Sequence, residues 1–110
     1  MENEELTTIE IDLTKADEMS ESWLKSFGFG IKSIMNYMFG GPKVPMTIKG
    51  TKSQIKDFSR VLGREKRYLQ NYKKYGLDNP QTYRSKFKLK SAIDKFERST
   101  GITWPFKQEL

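Results

Sequence analysis

The chain has no cysteine and no histidine. Without cysteine there is no disulfide and no thiolate metal site, and without histidine no imidazole base, Ser-His-Asp triad or zinc-imidazole centre. Apolar residues are also sparse, 35% of 110 against 31% charged, so a single modest core is the most that can form. The longest apolar-rich stretch, Trp23 to Phe39, is about 17 residues and is interrupted by Lys25 and Lys32, too short and too polar for a membrane span. The opening Met-Glu-Asn-Glu-Glu-Leu is acidic and carries no basic n-region or apolar h-region, which points to a chain that is not secreted. Gly28-Phe-Gly30 lacks the third glycine and the preceding strand of a dinucleotide fingerprint, and Gly40-Gly41-Pro42-Lys43 lacks the phosphate-loop pattern. Body acids such as Asp57, Glu65, Asp78, Asp94 and Glu97 are scattered. No catalytic, cofactor-binding or metal-binding residue is assigned, and the expectation is a non-enzymatic protein.

What the chain does have is an uneven charge. Residues 1–21 hold eight acids and one base, net −7, whereas residues 22–110 hold nineteen bases and six acids, net +13. The expected organisation is an acidic extended leader over residues 1–19 and a helical domain over 20–110. In the leader, Ile9, Ile11 and Leu13 alternate with Glu10 and Asp12, the period of a half-buried strand or docking segment. A solvated acidic tail is the plainer alternative.

Aromatics reach 13%, too many for a disordered chain. From about Ser20 to Phe39, Leu24, Phe27, Ile31, Ile34, Met35 and Met38 recur at helical spacing, and Trp23, Phe29, Tyr37 and Phe39 widen the apolar arc. That arc is either core or a protein interface, where aromatics and Met are enriched. Lys43 to Lys49 alternates through Val44, Met46 and Ile48, with Pro45 confining it to an edge strand or arm. Thr51 and Gln54 form a capping box for a helix running to Tyr75, with Gly76 as its stop, and Asn79-Pro80 opens another ending at Gly101. The fold expected is mainly α: three long helices including an antiparallel helical hairpin, with one or two short extended or β segments. Phe58, Leu62, Leu69, Phe87, Ile93 and Phe96 are expected in its core, with Ile102, Trp104, Pro105 and Phe106 as a plug folding back over the helix pair.

The hairpin helices each carry a basic stripe. Lys56, Arg60, Arg64, Arg67 and Lys74 lie opposite the apolar face of the first, and Arg84, Lys88, Lys95 and Arg98 recur on the second. Between Lys49 and Arg98 fifteen bases meet five acids. Such stripes track nucleic-acid phosphates, meet acidic protein surfaces, or serve simply as solvated faces.

Several strings serve as landmarks: Met38-Phe-Gly-Gly41, Thr47-Ile-Lys-Gly-Thr-Lys-Ser53, Glu65-Lys-Arg-Tyr68, Tyr75-Gly-Leu-Asp-Asn-Pro80, Phe96-Glu97 and Thr100-Gly-Ile-Thr-Trp-Pro-Phe106. Over residues 23–107 the chain resembles small, uncharacterised proteins of large contractile-tailed phages of aquatic bacteria. The resemblance brings no catalytic role. It implies a setting, the virion or the cytoplasm of an infected bacterial host. The function expected is a phage structural or assembly subunit making protein contacts, including with its own copies, through Ile9, Ile11 and Leu13 of the leader and Trp23, Phe27, Phe29, Tyr37 and Phe39 of the first helix. The alternatives are a basic accessory protein binding DNA or RNA, and a small inhibitor of a host enzyme.

Overall fold

A computed structural model describes residues 8–107. Glu2, Glu4 and Glu5 of the acidic leader lie outside the described residues. The elements run β1 (Ile9–Asp12), a short 3₁₀ turn (Ala16–Glu18), α1 (Glu21–Met38), β2 (Met46–Lys49), α2 (Lys52–Tyr75) and α3 (Pro80–Thr100).

Each helix starts where a side chain can satisfy a free amide. Ser20 Oγ accepts from the Trp23 N–H at 3.1 Å. Thr51 Oγ1 accepts from the Gln54 N–H at 3.1 Å while Gln54 Oε1 accepts from the Thr51 N–H at 2.9 Å, closing the capping box. Asn79 Oδ1 accepts from the Gln81 N–H at 2.8 Å, with Pro80 at the first helical position. Gly101 ends α3 in the left-handed region, φ 77°.

β1 and β2 pair in parallel, Ile11 opposite Ile48 and Asp12 opposite Lys49. A parallel pair needs a long crossover, and α1 supplies it. The alternation of β1 turns Ile11 (1% exposed) inward, and Leu13, just beyond the strand, is fully buried. α1 comes close to the strand at Gly30, where an added Cβ would stand 2.8 Å from Ile11 Cδ1 and 3.1 Å from Ile9 Cγ2.

α2 and α3 form the antiparallel hairpin, Gln54 reaching Ser99 at one end and Asn71 reaching Gln81 and Ser85 at the other. The core gathers Phe27, Ile31, Ile34 and Met35 from α1, Phe58, Val61, Leu62 and Tyr68 from α2, and Leu89, Ala92, Ile93 and Phe96 from α3. The C-terminal plug closes it. Trp104 packs edge-on to Phe27, Phe58, Phe96 and Phe106, with ring centroids 5.5–6.5 Å apart. Its indole N–H donates to Glu65 Oε1 at 3.2 Å and its backbone N–H to Glu97 Oε2 at 2.9 Å.

Two core expectations are corrected. Phe87 is 71% exposed and Leu69 is only half-buried. Phe87 and Leu89 are two residues apart, about 200° around a helix, so both cannot face the core. Leu89, Ala92, Ile93 and Phe96 take the inner face, and its continuation toward the N-terminus is Ser85 and Thr82. Thr82 Oγ1 donates to the Gly76 carbonyl at 2.7 Å, with the Asn71 carbonyl 3.2 Å away, so a polar seam closes the hairpin tip.

Candidate functional site

Antiparallel packing places part of the α3 stripe opposite part of the α2 stripe. A groove of 380 Å³ runs between the helices, lined by Arg64, Arg67, Asn71 and Tyr75 from α2 and by Gln81, Arg84, Ser85 and Lys88 from α3. Four cations converge here and none of the lining side chains is acidic. Asn71 Nδ2 donates to Ser85 Oγ and to the Gln81 carbonyl, and Ser85 Oγ donates to the Gln81 carbonyl, so the neutral floor is tied together. The cations stand above a braced polar seam, an arrangement suited to holding an oxyanion.

A second, shallower depression continues the groove along α2, lined by Lys56, Ser59, Arg60, Gly63, Arg64 and Arg67. Arg64 and Arg67 belong to both, so the basic track is continuous from Lys56 to Tyr75, about 28 Å at 1.5 Å per residue. A Cβ at Gly63 would meet nothing within 4 Å among the described residues. Gly63 is therefore a gap in the side-chain wall of the track, not a packing contact.

Among the expected basic residues, Lys56, Arg60, Arg64, Arg67, Arg84 and Lys88 line this track, and Lys74, Lys95 and Arg98 do not. Lys74 Nζ lies 5.3 Å from the Tyr75 ring centroid, and Arg98 reaches Asp94 at 3.7 Å in an exposed pair. Arg60 has a structural partner as well: its Nη1 is 3.5 Å from Oδ1 of Asp57, whose carboxylate is buried. The other oxygen, Asp57 Oδ2, has no hydrogen-bond partner among the described residues. The helical periodicity puts Asn71 on the same polar face as the α2 stripe, but the sequence does not single out Gln81 and Ser85, because their place in the groove depends on the register between the helices.

The residues expected at a protein interface divide. Ile11, Leu13 and Phe27 are buried in the chain's own core, and the leader strand pairs with β2 of the same chain, so these side chains are corrected from contact surface to core. The physical reason is the crossover by α1, which brings β2 alongside β1. Ile9 is half-buried, and Trp23 stacks on Phe27 at 5.0 Å. Phe39 has Lys66 and Lys73 of α2 at 5.9 and 5.4 Å from its ring centroid. Phe29 (66% exposed) and Tyr37 (44%) face outward.

Away from the track, Asp12 is held below the ordinary carboxylate range, chiefly by the Thr14 hydroxyl donating at 2.6 Å and then by the Thr14 backbone N–H at 3.0 Å. No group of three or more acidic residues able to hold a metal ion occurs among the described residues, and none of their helices is long and apolar enough to cross a membrane. No family model, curated protein or solved structure matches the chain.

Proposed function

We propose that the protein is a non-enzymatic nucleic-acid-binding module that holds a phosphate backbone in the groove between α2 and α3. One observation carries the reading: Arg64 and Arg67 of one helix and Arg84 and Lys88 of the other line a single groove without an acidic side chain. Arginine forks hydrogen-bond phosphate oxygens in pairs, and the continuation past Gly63 to Lys56 extends the cations along a strand rather than around one small anion. Affinity from such contacts is electrostatic and independent of sequence, with dissociation constants on the order of 1–100 µM at physiological salt.

The test compares two charge reversals of equal size by fluorescence anisotropy on a labelled 20-nucleotide single strand. Arg64→Glu with Arg84→Glu strikes the groove, and Lys25→Glu with Lys43→Glu makes the same change in net charge on α1 and the following loop. The groove pair is expected to weaken binding by more than tenfold and the control pair by much less. Equal losses would reduce the effect to overall charge and remove the groove from the account. Arg60 is left out because reversing it would strand the buried Asp57 carboxylate and mix folding with binding.

A second reading, a structural subunit as the resemblance to phage proteins implies, would use the apolar spot that Phe29 (66% exposed) makes with the half-buried Ile9 of β1. It predicts the chain in purified particles, and self-association by sedimentation that Phe29→Ser abolishes.

A further inference from the structure

The basic groove accounts for four side chains of the α2–α3 hairpin and leaves an adjacent feature unexplained. Phe87 is 71% exposed and Tyr83 51%, and they sit one turn apart on the outer side of α3. A single exposed ring needs no explanation. Here two rings stand in register with two groove cations. Arg84 directly follows Tyr83 and Lys88 directly follows Phe87, each about 100° further round the helix toward the groove. The ring pair repeats every four residues, about 6 Å along the axis, and the cation pair repeats with the same step.

We infer that the bound nucleic acid is single-stranded, with its backbone in the groove and unpaired bases stacked on Phe87 and Tyr83. The inference rests on the groove reading above. Each ring–cation unit presents a flat apolar face for a base and, beside it, a positive group for the attached phosphate, the combination that holds single strands without reading their sequence. A duplex gains nothing from the rings, because its bases are already stacked on one another. A protein partner fits this surface less well. Lys86, Lys88 and Lys90 surround the rings, no acidic residue occurs between Pro80 and Ile93, and lysine is depleted from the cores of protein interfaces.

Phe87→Ala is a clean probe, since a ring this exposed contributes little to folding. Full-length wild type, Phe87→Ala and Phe87→Trp are titrated by anisotropy against a 20-nucleotide oligothymidine and a 20-base-pair duplex at the same salt. The expected result is at least roughly fivefold weaker binding of Phe87→Ala to the single strand, unchanged binding to the duplex, and wild-type or tighter single-strand binding by Phe87→Trp. The salt dependence of single-strand binding stays the same in Phe87→Ala, because no phosphate contact is removed. If the wild type binds both nucleic acids and Phe87→Ala binds each as the wild type does, or weakens equally toward both, the stacking assignment is wrong while the groove reading stands. If the wild type binds neither, both fail.

Discussion

Arg60 is the residue whose two environments conflict most clearly. It lines the basic track, yet its guanidinium is the partner of Asp57, whose side chain is only 4% exposed. A buried carboxylate with one oxygen unpaired costs stability, and Arg60 offsets part of that cost. Arg60→Met is therefore expected to lower stability by about 1–3 kcal/mol in urea denaturation. Adding Asp57→Asn should recover much of the loss, because the stranded charge is then gone. Equal stability of Arg60→Met and wild type would mean that the pair contributes nothing and that Arg60 serves the track alone. The sequence places Arg60 in a regular stripe with Arg64 and Arg67, and nothing in that spacing distinguishes it. The distinction arises only because position 57 turns inward.

At the scale of the element, two glycines within helices have opposite expected effects. Gly30 sits where α1 meets β1, and a Cβ there would press on Ile11 and Ile9. Gly30→Ala should destabilise the protein by up to about 2 kcal/mol, the cost of overpacking less the helix-propensity gain. Gly63 faces open space on α2, so Gly63→Ala should stabilise it by up to about 1 kcal/mol through helix propensity. Chemical denaturation of the two variants checks both signs, and a loss at position 63 or a gain at position 30 would overturn the placement of that helix. The helices themselves are legible in the sequence. Ser20, Thr51, Asn79-Pro80, Gly76 and Gly101 mark their ends through local chemistry, and the observed spans agree with the expected ones to within a residue. The burial of Trp104 is legible for the same reason, as an apolar plug after a helix stop. The faces are less so. Phe87 looks like core by composition, but Thr82 and Ser85 take the inner positions because their hydroxyls can satisfy carbonyls at the hairpin tip. The parallel pairing of β1 with β2 is not legible, since it joins segments separated by a whole helix and no local pattern encodes the partner.

At the scale of the whole molecule, apolar packing docks the described part of the acidic leader on the basic body. The Glu10–Lys49 ion pair there, at 3.5 Å, is well exposed on both sides and worth little. Ile11 and Leu13 are buried against the rest of the core, each contributing about 1.5–3 kcal/mol. Removing residues 1–14 is thus expected to lower the denaturation midpoint markedly, as an excision from the core and not as the trimming of a tail. An unchanged midpoint would show that the strand does not dock. With β1 docked on its own chain, the track from Lys56 to Tyr75, joined by Arg84 and Lys88, is the surface on which the proposed nucleic-acid contact is tested.

The most direct measurement of that surface is the salt dependence of binding to a 20-nucleotide single strand. Six phosphates neutralised by Arg64, Arg67, Arg84 and Lys88 in the groove and by Lys56 and Arg60 on its continuation predict a slope of log K against log salt of about −4. The Arg64→Glu, Arg84→Glu variant should flatten that slope to about −3, because two of those cations no longer neutralise phosphate. No binding at low salt, or the same slope in wild type and variant, would contradict the assignment of the groove as a phosphate track.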